Sequence, residues 1–570
     1  MKDLLVRGGS VIDGTGQPAV LADVRVKEGR IAEVGPRLRP DGEILIDASG
    51  AVVTPGFVDS HTHFDPSVFW DPSVDPMPQH GVTTVLTGNC SLSLAPLRAG
   101  HRQELSRVFA YIEDLPKRAF ETSIPWSWES FGQYHGVMSA LGFGVNIAPL
   151  VGHTPLRLFV MGPEAWERAA SEEECRKLSA LLESCLREGA FGLSTSFLDR
   201  DEDNRLVPSQ FADDAEFAGL LDVLGASGRV IEFVPDFTRQ PEGTTEGIVR
   251  MGKLCAPRHV LATWNLLTFQ AQDEGRLGQH LLELTEAQQT DGIRILPQVS
   301  PRSFDLKINW DASLSFMGLP EGWHQVIINH GPDKTRLIRD PGWRALAKKE
   351  WDAVPRSFAF PHREPELVRF ISVTRPENRR WLGRTLEDMV SERGGHPSDV
   401  LADWMLENDC NPGVLAVGLA NGDPDGVARL ITHPGTIVSA SDAGAHLEMM
   451  CAAGDTTLLL TRHVRDRQDL SLERAVHELT ARQADVFGFA GRGRIAAGGH
   501  ADLTVFALED LKWSDAEFVD DVPEGGSRQR RPPGGYRYTI IDGVVVQEDG
   551  QLTGANPGTI LHSGAGRELG

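Results

Sequence analysis

The sequence predicts an α/β chain built as a (β/α)8 TIM-like barrel with a small discontinuous β-sandwich formed by both chain ends. Three observations point there. Eight short apolar, β-branched runs alternate with longer helical patterns through the middle of the chain. Both ends carry antiparallel β patterns broken by glycine turns. The 570 residues exceed the ~250 of a bare barrel by enough for a second domain.

The N-terminal β pattern occupies residues 1–54, in DLLVRGGSVID, ADVRVKEGRIAEVG and EILIDASGAVVTPG. Its counterpart lies in 485–570, in GRIAAGGHADLTVFALEDL and YRYTIIDGVVVQEDGQ. The economical arrangement joins the two into one sandwich beside a barrel spanning 55–484. The barrel runs are GFVDSHTH, VTTVLTGN, VNIAPLVGH, AFGLSTS, RVIEFVP, HVLATWN, IRILPQV and TIVSASD. One intervening helix is well marked: Ser171 and Glu174 have capping-box spacing, and a helical pattern continues through CRKLSALLESCLRE to Gly189.

From His61 to Asp442 seven units average roughly 54 residues, against ~30 in a minimal barrel. An insertion after the seventh strand, about 302–395, absorbs the excess. It carries Trp310, Trp323, Trp343, Trp351 and Trp381, which are expected to pack this excursion onto the barrel, a lid over the substrate being the sharper alternative.

Hydrophobic and charged contents of 41% and 24% are those of an ordinary globular protein, so disorder is excluded as the main state. A net charge of −24 repels phosphate backbones and anionic lipid, which argues against nucleic acid or membrane as partner and leaves a small-molecule substrate. The six cysteines show no CxxC pair or framework spacing, which fits a reducing compartment. With neither a signal-peptide core nor a run of ~20 apolar residues in view, a cytoplasmic location is expected.

The strongest chemical signal is Gly56-Phe57-Val58-Asp59-Ser60-His61-Thr62-His63, where two histidines end an apolar strand two residues apart. Period two puts both on one face, and in a barrel the strands' C-terminal ends surround the active site, so both imidazoles can address one metal ion. At the last strand, Ile437-Val438-Ser439-Ala440-Ser441-Asp442 ends in a carboxylate able to ligate that ion and take a proton from an attacking water. Ser194-Thr195-Ser196 closes the fourth strand but lacks the far-side glycine of a nucleophile elbow, so Ser194 and Ser196 are expected to line a substrate pocket.

Taken together, PGFVDSHTHFD, HGVTTVLTGNCSLSLAPL, VGHTPLR, GAFGLSTS, SASDAGAH, GRIAAGGHADLTVF and the closing DGVVVQEDGQLTGANPGTIL resemble the N-acyl-D-amino-acid deacylase (D-aminoacylase-like) branch of the amidohydrolase superfamily, over nearly the whole chain. The resemblance implies that His61, His63 and Asp442 are the metal-binding and base positions and that Cys90 is a further ligand, a thiolate suiting zinc. The same family supplies histidines from its fifth and sixth strands. Here RVIEFVPD offers Glu232 and Asp236, and HVLATWN offers Asn265, with His259 at the wrong end of its strand.

Three ligand sets follow: one ion held by His61, His63 and Asp442 with Cys90, which is favoured; recruitment of His153; or a carboxylate such as Glu232. One zinc per chain is favoured, with two as the alternative. From their positions, His153 after the third strand is expected as a substrate or oxyanion contact, with a satisfied structural histidine as the alternative; Arg157 is expected to pair with a substrate carboxylate, with a surface salt bridge as the alternative; and His446, four residues beyond Asp442, is expected to orient that carboxylate or protonate a leaving amine. By the resemblance a homo-oligomer is also implied. The expected activity is hydrolysis of a non-peptide carbon–nitrogen bond in an N-acyl-D-amino acid or related N-acyl or cyclic amide. The alternatives are lactam or imide ring opening, decarboxylation, and a metal-free scaffold.

Overall fold

A computed structural model describes residues 3–311, 315–316, 318–354, 360–439 and 441–564. Eight parallel strands form the central barrel: β1 (Phe57–Asp59), β2 (Val82–Thr87), β3 (Asn146–Pro149, resuming at Val151–Gly152), β4 (Gly192–Ser196), β5 (Val230–Val234), β6 (Leu261–Trp264), β7 (Ile295–Val299) and β8 (Ile437–Val438). Each falls inside one of the eight apolar runs; Ala440, in the eighth run, lies outside the described residues.

Pairing runs β1-β2-β3 in one ladder and β3-β4-β5-β6-β7-β8 in the other. The ring closes where the chain beyond β1 meets the chain beyond β8: Thr62 bridges Ala443 in parallel, Asp442 N donates to His61 O at 3.0 Å, and His63 N donates to Ala443 O at 2.8 Å. Barrel closure therefore passes through His61, His63 and Asp442, the residues expected to carry chemistry. Between strands run the covering helices, among them α1 (Arg102–Ile112), α2 (His153–Met161), α3 (Glu172–Arg187) and α4 (Asp214–Ser227). In α3 the capping box forms as its spacing predicts, Ser171 receiving the Glu174 N–H while Glu174 receives that of Ser171.

Both chain ends enter one sheet of nine strands, in which Val52–Pro55 pairs antiparallel with Leu503–Phe506 and so stitches the N-terminal half to the C-terminal half. It encloses its own apolar core, including Leu4, Val24, Val53, Leu503 and Ile540. Two C-terminal segments depart from the sandwich. A hairpin, Glu517–Val522 with Gly526–Arg530, reaches over the loop beyond β8, Gln529 N bonding Leu447 O. The last described stretch returns to the barrel, where Gly558 and Ile560 bridge Phe143 and Ile147.

The insertion after β7 has a core of its own, in which Trp310, Trp323, Trp343, Trp351 and Trp381 are all buried. Its small sheet extends past the expected limit of 395, since Gly413–Ala416 is the central strand between Leu306–Lys307 and Val368–Ser372. The tryptophans thus pack into the excursion's own core, Trp323 contacting Trp310, Trp343 and Trp351, while its first residues, Phe304 and Leu306, reach the cavity described below. No helix among the described residues is long and apolar enough to cross a membrane.

Candidate metal and active site

At the C-terminal mouth of the barrel the backbone holds His61 and His63 from two sides. Thr62 N donates to Leu86 O in β2, while His61 O and His63 N bond the chain beyond β8. Alternate residues share a face, so both imidazoles project into the barrel mouth and Thr62 turns away, its hydroxyl also on Leu86 O at 2.8 Å. Beyond β2 the chain turns at Gly88, with φ +78°, where a Cβ would come within 2.5 Å of Leu150 O. Asn89 Nδ2 ties this turn to Leu86 O at 2.9 Å and Thr62 O at 3.2 Å. Cys90 follows in the left-handed region at φ 53°, as does Asp442 at φ 68° on the other side of the site. Non-glycine residues held there are uncommon and cluster at functional sites.

One donor atom from each of His61, His63 and Cys90 lies within 4.8 Å of the others. His61 Nε2 is 3.3 Å from Cys90 Sγ, close to the about 3.6 Å that separates thiolate and imidazole donors on a tetrahedral zinc. Asp442 Oδ1 stands 3.1 Å from His63 Nε2 and 3.6 Å from His61 Nε2, and its Oδ2 is 3.7 Å from His446 Nε2. The tautomer of His61 follows from its neighbours. Gln298 on β7 donates its amide to Thr263 Oγ1 on β6, so its Oε1 receives the His61 Nδ1 proton at 2.9 Å and Nε2 is left as the open lone pair.

The electrostatics favour a cation. Burial pulls the His61 pKa down to about 4, so it is a neutral donor. Burial also opposes charge on His63, but Glu113 and Asp442 outweigh it and lift its pKa to about 10. Glu113 Oε1 lies 3.2 Å from His63 Nδ1, too oblique for a hydrogen bond, so that coupling is Coulombic. Burial raises Glu113 to about 8 and Glu232 to about 8, whereas the surrounding histidines hold Asp442 well below the usual carboxylate range against its own burial. Desolvation pushes the Cys90 thiol up, and a bound cation would reverse that. Imidazole, thiolate and carboxylate donors of this kind fit zinc.

The remaining residues expected at the site divide. His446 lines the same cavity as His63, Cys90 and Asp442. His153 does not: it opens α2 on the outer side of the barrel, where its Nδ1 meets Thr195 Oγ1 at 3.0 Å and its Nε2 meets Glu216 Oε1 at 2.7 Å. Thr195 faces outward because Ser194 and Ser196 face inward, and His153 is therefore corrected from substrate contact to a buried link between strand and helix layers. Arg157 is likewise corrected. It is fully buried, ion-paired with Glu216 and bonded to Arg168 O at 2.7 Å, so it has no surface for a substrate carboxylate.

Ser194 Oγ bonds Gly88 O and receives Ser91 N at 3.0 Å, fixing the turn around Cys90. Ser196 Oγ receives Leu198 N at 3.1 Å and Asp199 N at 3.3 Å, fixing the turn after β4. Both serines support the loops and neither lines the cavity.

Glu232 takes the inward position on β5, in register with Ser194 and Thr263. Its Oε2 receives Cys90 N at 2.9 Å, and the Asn265 amide donates to its Oε1. It thus positions the loop that carries Cys90. Glu113, Asp199 and Gln298 had no advance signal: Glu113 follows α1 in a long connection, Asp199 lies in a loop, and a glutamine ending an apolar strand is unremarkable until its partner is known.

The signature of the amidohydrolase family matches residues 45–231 and 385–547. The chain belongs to the amidohydrolase family. The unmatched interval, 232–384, begins at Glu232 and holds β6, β7 and most of the insertion, so departure from the family signature falls where the two histidines were expected. Similar relatives include a D-aminoacylase of Alcaligenes xylosoxydans xylosoxydans, 28% identical over 98% of this chain and 97% of the relative. An N-acyl-D-aspartate deacylase of the same organism is 28% identical over 99% and 95%. A solved D-aminoacylase, described by a binuclear metal center with one-metal activation and second-metal attenuation, superposes with a TM-score of 0.68 at 25% identity over 99% of this chain and 100% of its own.

Proposed function

We propose that this amidohydrolase cleaves a non-peptide carbon–nitrogen bond in a small N-acyl compound, with one divalent ion, zinc, held by His61, His63, Cys90 and Asp442. The observation that carries this reading is the convergence of His61, His63 and Cys90 donors within 4.8 Å at the barrel mouth, with Asp442 Oδ1 against both imidazoles. The similarity to a D-aminoacylase and an N-acyl-D-aspartate deacylase supports an amide as the bond attacked. It makes N-acyl-D-amino acids the first compounds to assay.

When bound, the ion polarises the amide carbonyl and acidifies a water. Asp442 takes the proton from the attacking water, whose oxygen forms the new bond to the carbonyl carbon. The carbon–nitrogen bond then breaks, and the proton passes from Asp442 to the departing nitrogen, with His446 on the far carboxylate oxygen placed to assist. Gln298 and Thr263 keep the His61 ring in its donor tautomer. The six cysteines are all free, which supports a reducing, cytoplasmic setting, and a homo-oligomer follows from the resemblance alone.

Metal analysis of the parent and Cys90→Ala tests the site. About one zinc per chain, lowered in the variant, with amide hydrolysis abolished by chelator and restored by zinc, is expected. Protein that carries no divalent ion, and that hydrolyses no amide with or without added zinc, would overturn the reading.

A further inference from the structure

Beside the His61, His63 and Asp442 cluster lies a cavity of about 160 Å³. Its walls are mostly apolar, with Ile112, Leu198, Val234, Phe237, Leu266 and Phe304 among them. Its acidic groups are Glu113, Asp199 and Asp442, and among the described lining residues there is no lysine or arginine. The nearby guanidinium of Arg302 is committed, to Asp455 at 3.1 Å and to Ser441 O at 2.8 Å, and Arg157 is sealed against Glu216 outside the barrel. A bound dication's two charges would be offset by the Cys90 thiolate and Asp442, which leaves Asp199 and Glu113 as the acidic groups a substrate would meet.

Asp199 adds an independent observation. It is 4% exposed and lines the cavity, and its Oδ2 has no hydrogen-bond partner. The turn that presents it is fixed by Ser196 Oγ on its backbone N–H. A buried carboxylate oxygen held beside a cavity without a donor is costly unless the occupant supplies one.

We propose that the substrate selected here is a carboxylate-free N-acyl amine with an apolar body, whose N–H or ammonium group is received by Asp199. This rests on the hydrolase reading and departs from the compounds named for the relatives. An N-acyl amino acid would bring its carboxylate up to Glu113 and Asp199 with no lysine or arginine among the described lining residues to meet it, a repulsive element that discriminates against acids. An amine-bearing amide places a donor where the acceptor waits.

The test compares substrates matched in acyl chain: an N-acyl-D-amino acid, its primary amide, the N-acyl alkylamine lacking the carboxyl group, and the N-acyl diamine. With zinc-loaded parent enzyme, kcat/KM for the carboxylate-free compounds should exceed that for the acid by at least about 100-fold, with the diamine best. In Asp199→Asn, its folding checked by thermal melting, the diamine's advantage over the alkylamine should fall at least about tenfold. Equal or better turnover of the acid overturns the proposal and leaves the hydrolase reading intact. If no amide is cleaved, the hydrolase reading fails. The substrate proposal then fails with it, whereas turnover of the acid alone removes the proposal and keeps the hydrolase reading.

Discussion

Glu216→Ala is a direct test of where the fold places its buried charges. The Arg157 guanidinium and the Glu216 carboxylate are both inaccessible to solvent, and Glu216 also receives the His153 ring at 2.7 Å. Removing the carboxylate strands a buried cation whose one other anchor is the Arg168 carbonyl, and breaking a pair in this way costs about 3–5 kcal/mol. The lost His153 bond is part of the same network and does not add in full. Against a typical stability of about 5–15 kcal/mol the variant should fold marginally, with its urea midpoint shifted in proportion.

The pH dependence has a definite sign. Burial alone would raise the Glu216 pKa, but His153 and Arg157 hold it below its ordinary 4.5. The stabilisation is therefore complete above 4.5 and is lost as pH falls through the lower folded value, so parent and variant should converge in acid. Replacing both partners with apolar residues, Arg157→Met with Glu216→Leu, should recover most of the loss, because the desolvation penalty leaves with the charges. The assay is urea unfolding followed by circular dichroism, with KM measured on the folded fraction. A penalty under about 1 kcal/mol, or a stably folded Arg157→Met with Glu216→Leu protein whose KM rises tenfold, would refute the placement of Arg157 outside the substrate cavity.

Three shorter predictions follow from the site and the insertion. Asp442→Asn should lower kcat by about 10²–10⁴-fold in stopped amine-release assays, because the proton acceptor for the attacking water is gone. Gln298→Leu removes the group that fixes the His61 tautomer and should weaken zinc affinity by about 10–100-fold in competition with a chromophoric chelator. Trp323→Ala opens a hole in the insertion's core, where Trp323 packs against Phe316, Trp343 and Trp351, and should cost about 3–5 kcal/mol in that layer. Zinc content should stay near that of the parent, since none of these groups touches the ligands.

What was legible in the sequence is what depends on strand period and strand polarity alone. His61 and His63 could be read onto one face because two residues of extended chain always share a face, and onto the active end because they follow β1. Asp442, four residues beyond β8 and at φ 68°, could be read onto the active end by strand polarity but not onto a face by strand period. The failures begin where a helix follows a strand directly, because the helix and not the strand then sets the direction of the side chain. His153 follows the last residue of β3 but is already the first residue of α2, and the helix turns it outward to Thr195 and Glu216. Arg157, one helical turn later, follows it there, so a motif that reads as one binding element in sequence serves the layer between strands and helices.

The same geometry explains the acidic side of the site. Glu232 occupies an inward β5 position, so its role depends on what faces it: the Asn265 amide comes from the end of the adjacent β6, and the Cys90 amide from the loop beyond β2 across the barrel mouth. Glu113 becomes part of the site through the chain beyond β8, where His446 N bonds its carbonyl at 2.6 Å while its carboxylate faces His63. A ligand pair two residues apart is local information; a pocket's charge is the sum over loops from several different strands. For that reason a metal-assisted hydrolysis can be argued from strand ends, whereas the charge of the molecule that is cleaved has to be argued from Glu113, Asp199 and the absence of a described cation beside them.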